Sequence, residues 1–252
     1  MAWPSFRKPQ MSWRAFGWAV IGVIPAIGAY ALLAHFLGGA GVTSASVDRE
    51  LGQSPLYAAI RQADPDAYAR LRDTVVDARR DGTPKSELDA ALRSDVGVIA
   101  RKYIPIASGD ALIEFARVMT LSIDEIGAKS ADACFDFLFP RPGGTVAPIT
   151  QLITPELSRR DDEALGAIIA TGAASPQRVP TKDEVAPALG QVARQLAAKY
   201  GNAAVSDLTR LTSLDHGKAC ALTSSLYKEV LSLPRDQAVA VLRFMFAQNP
   251  AI

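Results

Sequence analysis

The chain has 252 residues, a formal charge of +1, a mean hydropathy of +0.11 and two cysteines. That length builds one sizeable domain or two small ones. The near-neutral balance supplies no field for nucleic acid, so none is expected as a partner. The average hides an asymmetry, because residues 1–47 contain Arg7, Lys8 and Arg14 but no acid, and all three tryptophans, Trp3, Trp13 and Trp18, lie in the first eighteen positions.

Positions 1–15 read as a basic, aromatic N-terminus. From Phe16 to Leu37 runs "FGWAVIGVIPAIGAYALLAHFL", 22 residues without Asp, Glu, Lys or Arg. At about 1.5 Å per residue, a helix of this length covers roughly 33 Å, the hydrocarbon thickness of a bilayer. The stretch 16–37 therefore predicts one transmembrane helix, with Trp13, Trp18 and Arg14 at the membrane interface and the lipid bilayer as a partner. Pro25 is tolerated in such a span. A cleaved signal peptide fits less well, since its apolar region covers only about 7–15 residues. Three cations precede the span, and the first cation after it, Arg49, is flanked by Asp48 and Glu50. The positive-inside rule then places the N-terminus in the cytoplasm and the rest on the periplasmic or extracellular side of the plasma membrane.

Beyond the span, residues 38–47 ("GGAGVTSASV") read as a flexible tether. Residues 48–252 read as an extracytoplasmic all-α domain, a multi-helix bundle or an array of helical hairpins, with candidate halves at 48–145 and 146–252 on either side of "FPRPGGTVAP". Ser54-Pro55, Asp64-Pro65, Thr83-Pro84 and Thr154-Pro155 each set a capping side chain before a proline at the first helical position. Thr181 and Glu184 form a capping box, and Gly82 and Gly201 suit helix C-termini. Between these marks the apolar spacing is helical. Tyr68, Leu71, Val75 and Val76 form one stripe. Leu88, Leu92, Val96, Ile99 and Tyr103 form a second, and Leu112, Phe115, Val118, Met119 and Ile123 a third. Leu226, Val230, Val239, Leu242 and Met245 serve a C-terminal helix pair. No sustained period-2 alternation marks a strand.

In an oxidising compartment the two cysteines, Cys134 and Cys220, are expected to pair, tying distant parts of the chain together. A competing arrangement puts His216 and Cys220 on one helix face at i, i+4, as a thiolate–imidazolium pair or, with Cys134, as three metal ligands. No CxxC pair and no fourth ligand support the metal reading, so neither metal nor cofactor is expected. The sequence holds no nucleophile elbow, phosphate loop or zinc-protease helix. "RRDGTPK", "SRRDDE" and the acidic pairs Asp124-Glu125 and Asp132/Asp136 read as solvated helix ends and faces. In "FDFLFP", Phe135, Leu138 and Phe139 fit one helical face while Phe137 points elsewhere. Core packing explains these rings most simply. The sharper reading makes Phe137 and Phe139, with Phe244 and Phe246 in "RFMFAQNPAI", candidate patches for a protein partner in or near the membrane. The chain is thus expected to be a membrane-anchored helical interaction or scaffold protein of an envelope assembly. A helical lipid- or peptide-binding domain is the first alternative, and a hydrolase or thiol enzyme using Cys220 and His216 a more remote one.

Overall fold

Capping side chains set where the helices begin. The computed structural model describes residues 42–140 and 152–248, and these form eleven α-helices and two 3-10 segments with no strand among them. Thr43 opens α1 (Ser44–Leu51) with a reciprocal capping box to Ser46. Ser54 caps α2 (Pro55–Ala63) and Asp64 caps α3 (Pro65–Arg80), each with proline at the first helical position. Then come α4 (Lys85–Tyr103), a 3-10 turn at Ile104–Ile106, α5 (Gly109–Lys129) capped by Ser108, and α6 (Ala131–Leu138) capped by Ser130. Thr154 caps α7 (Pro155–Ala174), and the Thr181–Glu184 box starts α8 (Lys182–Tyr200). The chain closes with α9 (Ala203–Asp207), a 3-10 stretch at Leu208–Ser213, α10 (His216–Leu231) capped by Asp215, and α11 (Arg235–Ala247). Gly82 and Gly201 take positive φ of 67° and 84°, the left-handed backbone that ends a helix and that only glycine adopts without strain.

The all-α expectation holds, and two boundaries differ from it. Pro84, not Thr83, is the residue before the first turn of α4, and no side chain caps that helix. With ψ at 138°, Pro84 is still extended, so the helix starts one residue later than the Thr-Pro pair suggests. The stretch 38–47 is also not a tether to its end: Thr43 and Ser46 satisfy each other's backbone, helix begins at Ser44, and Val47 is fully buried. The stretch 16–37, with Trp13, Arg14 and Trp18, lies outside the described residues. Among those described, no helix is long and apolar enough to cross a membrane.

Helices α5 and α7 form the middle of the domain. One side of α7 packs on α2 and α4, and α7 also packs on α5, which in turn meets α6, α10 and α11. Helix α8 closes on α10 and α11, α9 caps α8, and α1 and α3 flank α2 and α4. The four apolar stripes read from the sequence all face inward, with only Val239 partly exposed, and one cluster of buried side chains runs from Val47 to Phe246. The core therefore crosses the division expected near residue 145, because α7 completes the first half and α5 the second. At two places α7 comes unusually close to its neighbours. A Cβ on Gly166 would stand 2.9 Å from the carbonyl oxygen of Pro55, and one on Gly172 2.9 Å from that of Tyr103.

Candidate functional site

Cys134 sits in the first turn of α6 and Cys220 in the second turn of α10. Their sulfurs are bonded, with the Cα atoms 6.3 Å apart, inside the range a disulfide spans. Cys134 is fully buried and Cys220 4 % exposed, and Gly127 of α5 lies against the Cys134 sulfur. The bond therefore fastens α6 and α10 over the C-terminal half of α5. On its solvent side, Nδ1 of His216 donates to a carboxylate oxygen of Asp132 at 2.6 Å, and the imidazole stacks on Phe135 with centroids 3.9 Å apart. His216 and Cys220 do share a face, as their spacing implies. The thiolate–imidazolium arrangement nevertheless fails for want of a thiol, since the sulfur is committed to Cys134. Among the described residues no group of three His, Cys, Asp or Glu side chains is placed to hold a metal ion.

The phenylalanines fall largely on the core side. Phe137 is 2 % exposed and Phe246 5 %, so neither offers surface to a partner. Phe137 is buried along with Phe135 because α6 is wedged between α5 and α10 and must bury two faces rather than one. Phe246 packs against Phe115, with ring centroids 5.7 Å apart. Phe139 and Phe244 are partly buried and lean on the same core, Phe139 against Phe135.

A concave surface among the described residues lies elsewhere, between α3 and α4. A cleft of about 470 Å³ has Leu71, Ala67 and Ile99 as its floor, and Asp73, Asp77, Asp95 and Arg70 at its rim with the exposed Val98. Asp73 is engaged by Arg72 at 2.7 Å. With Asp73 paired to Arg72, Asp77 and Asp95 against Arg70 leave the rim with a single negative charge in excess over an apolar base. None of these rim residues stands out in the sequence as a site, although Asp73 and Asp77 are four apart and so share a helix face.

A second polar assembly is internal. Asp162 of α7 accepts the hydroxyl hydrogen of Ser54 at 2.6 Å and the N–H of Leu56, so it serves as an additional cap on α2. Burial pushes its carboxyl up to about 6, against the pull of those two donors. Its second oxygen, like the hydroxyl of Tyr57 and one oxygen of Asp89, is buried without a hydrogen-bond partner. Burial also raises the pKa of Asp89, whose other oxygen receives Lys85 at 2.5 Å. The run "SRRDDE" is thus not simply a solvated helix end, since Asp161 and Asp162 are 2 % and 8 % exposed. "Asp124-Glu125" is likewise partly structural, because Asp124 accepts from Ser224 at 2.5 Å and from Lys228 at 2.7 Å, joining α5 to α10. Asp207 accepts from Lys218 and Arg210, both at 2.7 Å, and these two donors hold its carboxyl below the usual range. Asp162, Asp124 and Asp207 thus serve a helix end and contacts between and within helices.

Comparison with protein-family models, curated proteins and solved structures finds no match for the chain.

Proposed function

We propose that the chain is a membrane-anchored helical interaction module, a scaffold component of an envelope assembly whose helical domain lies outside the cytoplasm. The observation that carries this reading is the Cys134–Cys220 bond, in a chain whose uncharged stretch 16–37 comes after Arg7, Lys8 and Arg14. Structural disulfides persist in oxidising compartments, and a basic leader before an apolar span favours export of the residues C-terminal to that span. An anchor confines the domain to the layer beside the bilayer and raises its effective concentration for other membrane-bound proteins.

Two reporters fused in turn to the C-terminus test the topology. An enzyme active only after export is expected to work there, and a fluorophore that matures only in the cytosol to stay dark. The reverse pattern removes the proposal. Thiol labelling of unreduced, denatured protein adds an independent check, with no free cysteine expected.

A second reading, peptide binding, is favoured by the α3–α4 cleft, whose Asp73, Asp77 and Asp95 suit a cationic segment with an apolar side chain for the floor. Replacing Asp77 and Asp95 with lysine should weaken crosslinking to such a partner and leave the fold intact, since both side chains are exposed.

A further inference from the structure

The anchor reading leaves open which end of the domain meets the membrane, and the start of α1 bears on this directly. Residue Val42 is the first described, partly buried against the core, and its carbonyl receives a guanidinium hydrogen of Arg80 at 3.5 Å. Arg80 is the last residue of α3, so Val42 is pinned beside the turn that joins α3 to α4. Only residues 38–41 lie between Leu37, the end of the apolar stretch, and this fixed point. Even fully extended, the five steps from Leu37 to Val42 reach no more than about 18 Å. A ten-residue tether would have let the domain tumble, but a helix that starts at Ser44 removes most of that freedom.

From this turn α4 runs 19 residues, which is about 28 Å. Its far end, Tyr103, meets the carbonyl of Ala63 through its hydroxyl, and the close approach at Gly172 sets the last turn of α7 beside it. The backbone N–H of Ser108 reaches the hydroxyl of Thr171 at 3.2 Å in the same region. The α3–α4 pair therefore has two ends, one at Arg80–Lys85 and one beside Ile104–Ser108 and the end of α7. The flank between them on the α3–α4 side carries Asp73, Asp77 and Asp95 among Arg70, Arg72 and Arg101, so its charge is mixed and gives lipid no preference for or against it. At the near end Arg80 and Lys85 stand with Asp81 and Glu87, close to charge balance. Covalent reach, rather than lipid charge, holds that end down.

We infer that the end of the domain carrying the α3–α4 turn is its bilayer-facing pole, held within a short tether's reach of the phospholipid headgroups, and that the end formed by Ile104–Ser108 and the last turn of α7 points away from the membrane. This rests on the proposed anchor at 16–37. It goes beyond that proposal by assigning the face that meets the lipid and leaving the opposite face for aqueous partners.

The test uses the full chain in vesicles containing a lipid with a nitroxide on its headgroup. A fluorophore is attached at Ser86→Cys in one preparation and at Ala174→Cys in another, both exposed sites. The native cysteines, being bonded to each other, stay unlabelled. Quenching is expected to be severalfold stronger at position 86 than at 174. A long Gly/Ser insertion between Gly39 and Ala40 is expected to remove that difference while the protein still floats with the vesicles. Flotation with equal or reversed quenching overturns the assigned pole and leaves the anchor standing. An insertion without effect overturns the tether as its cause. Protein that does not float at all removes the anchor reading itself.

Discussion

Asp162 connects a single side chain to the behaviour of the whole domain. Its carboxyl is raised from an ordinary 3.8 to about 6 because it is buried. Between about pH 4 and pH 6 the unfolded chain has released this proton and the folded chain still holds it. Stability therefore falls as pH rises through that window and is flat for this group above it. Asp162→Asn is expected to flatten the dependence, gaining on the native protein by as much as about 3 kcal/mol at pH 7 relative to pH 4. Denaturant midpoints at the two pH values measure this, and an unchanged difference contradicts it. Two glycines are expected to respond in opposite senses. Gly166→Ala drives a methyl into the Pro55 carbonyl, 2.9 Å away, and must separate α7 from α2, at about 1–3 kcal/mol. Gly190→Ala meets only the tip of Arg194 at 3.5 Å, so in a helix it is expected to stabilise by about 0.5–1 kcal/mol. Thermal unfolding of the pair reads the contrast.

For the elements, caps decide both what was legible and what was not. Ser54, Asp64, Thr154 and the Thr181 box were readable because a side-chain oxygen and a following proline or glutamate state the backbone's need locally. Thr83 carried the same signal and caps nothing, because Pro84 is the last extended residue and α4 starts at Lys85. Thr181→Ala is thus expected to cost about 1 kcal/mol and Thr83→Ala to stay within about 0.5 kcal/mol of neutral. Equal losses in chemical denaturation would speak against this assignment. The stripes on α3, α4 and α5 were legible from their period. The short helix α1 was not, since eight residues hold too few turns for a period to declare itself, and of α6 only the face of Phe135, Leu138 and Phe139 was readable. Phe137 shows the same limit, because one helix cannot announce that two neighbours will enclose it. The buried carboxylates were hidden for a different reason. Asp161 and Asp162 sit among Arg159, Arg160 and Glu163 in a run that looks solvated, and for Asp162 it is the approach of α2, through Ser54 and Leu56, that takes it inside. The α3–α4 cleft exists only once two helices lie side by side, so its acidic rim belongs to the pair and to neither segment alone.

At the level of the whole domain, one core spans the region from α1 to α11, and no second hydrophobic cluster offers a separate unit among the described residues. Unfolding is accordingly expected to be a single transition by circular dichroism and by tyrosine fluorescence, with coincident midpoints. Reduction, or Cys220→Ser, should shift that transition down by about 4–5 kcal/mol, since the bond closes a loop of 86 residues in the unfolded chain. Two separated transitions would show that α5 and α7 do not unite the halves as their packing implies. The same sulfur link has a further outcome for turnover of the protein. Any backbone cut between positions 134 and 220, including the Pro/Gly-rich run after Phe139, leaves both pieces fastened together. A clipped molecule would keep its apparent size on a gel until a reductant splits it, so a protease that nicks this chain there leaves its C-terminal helices joined to the rest.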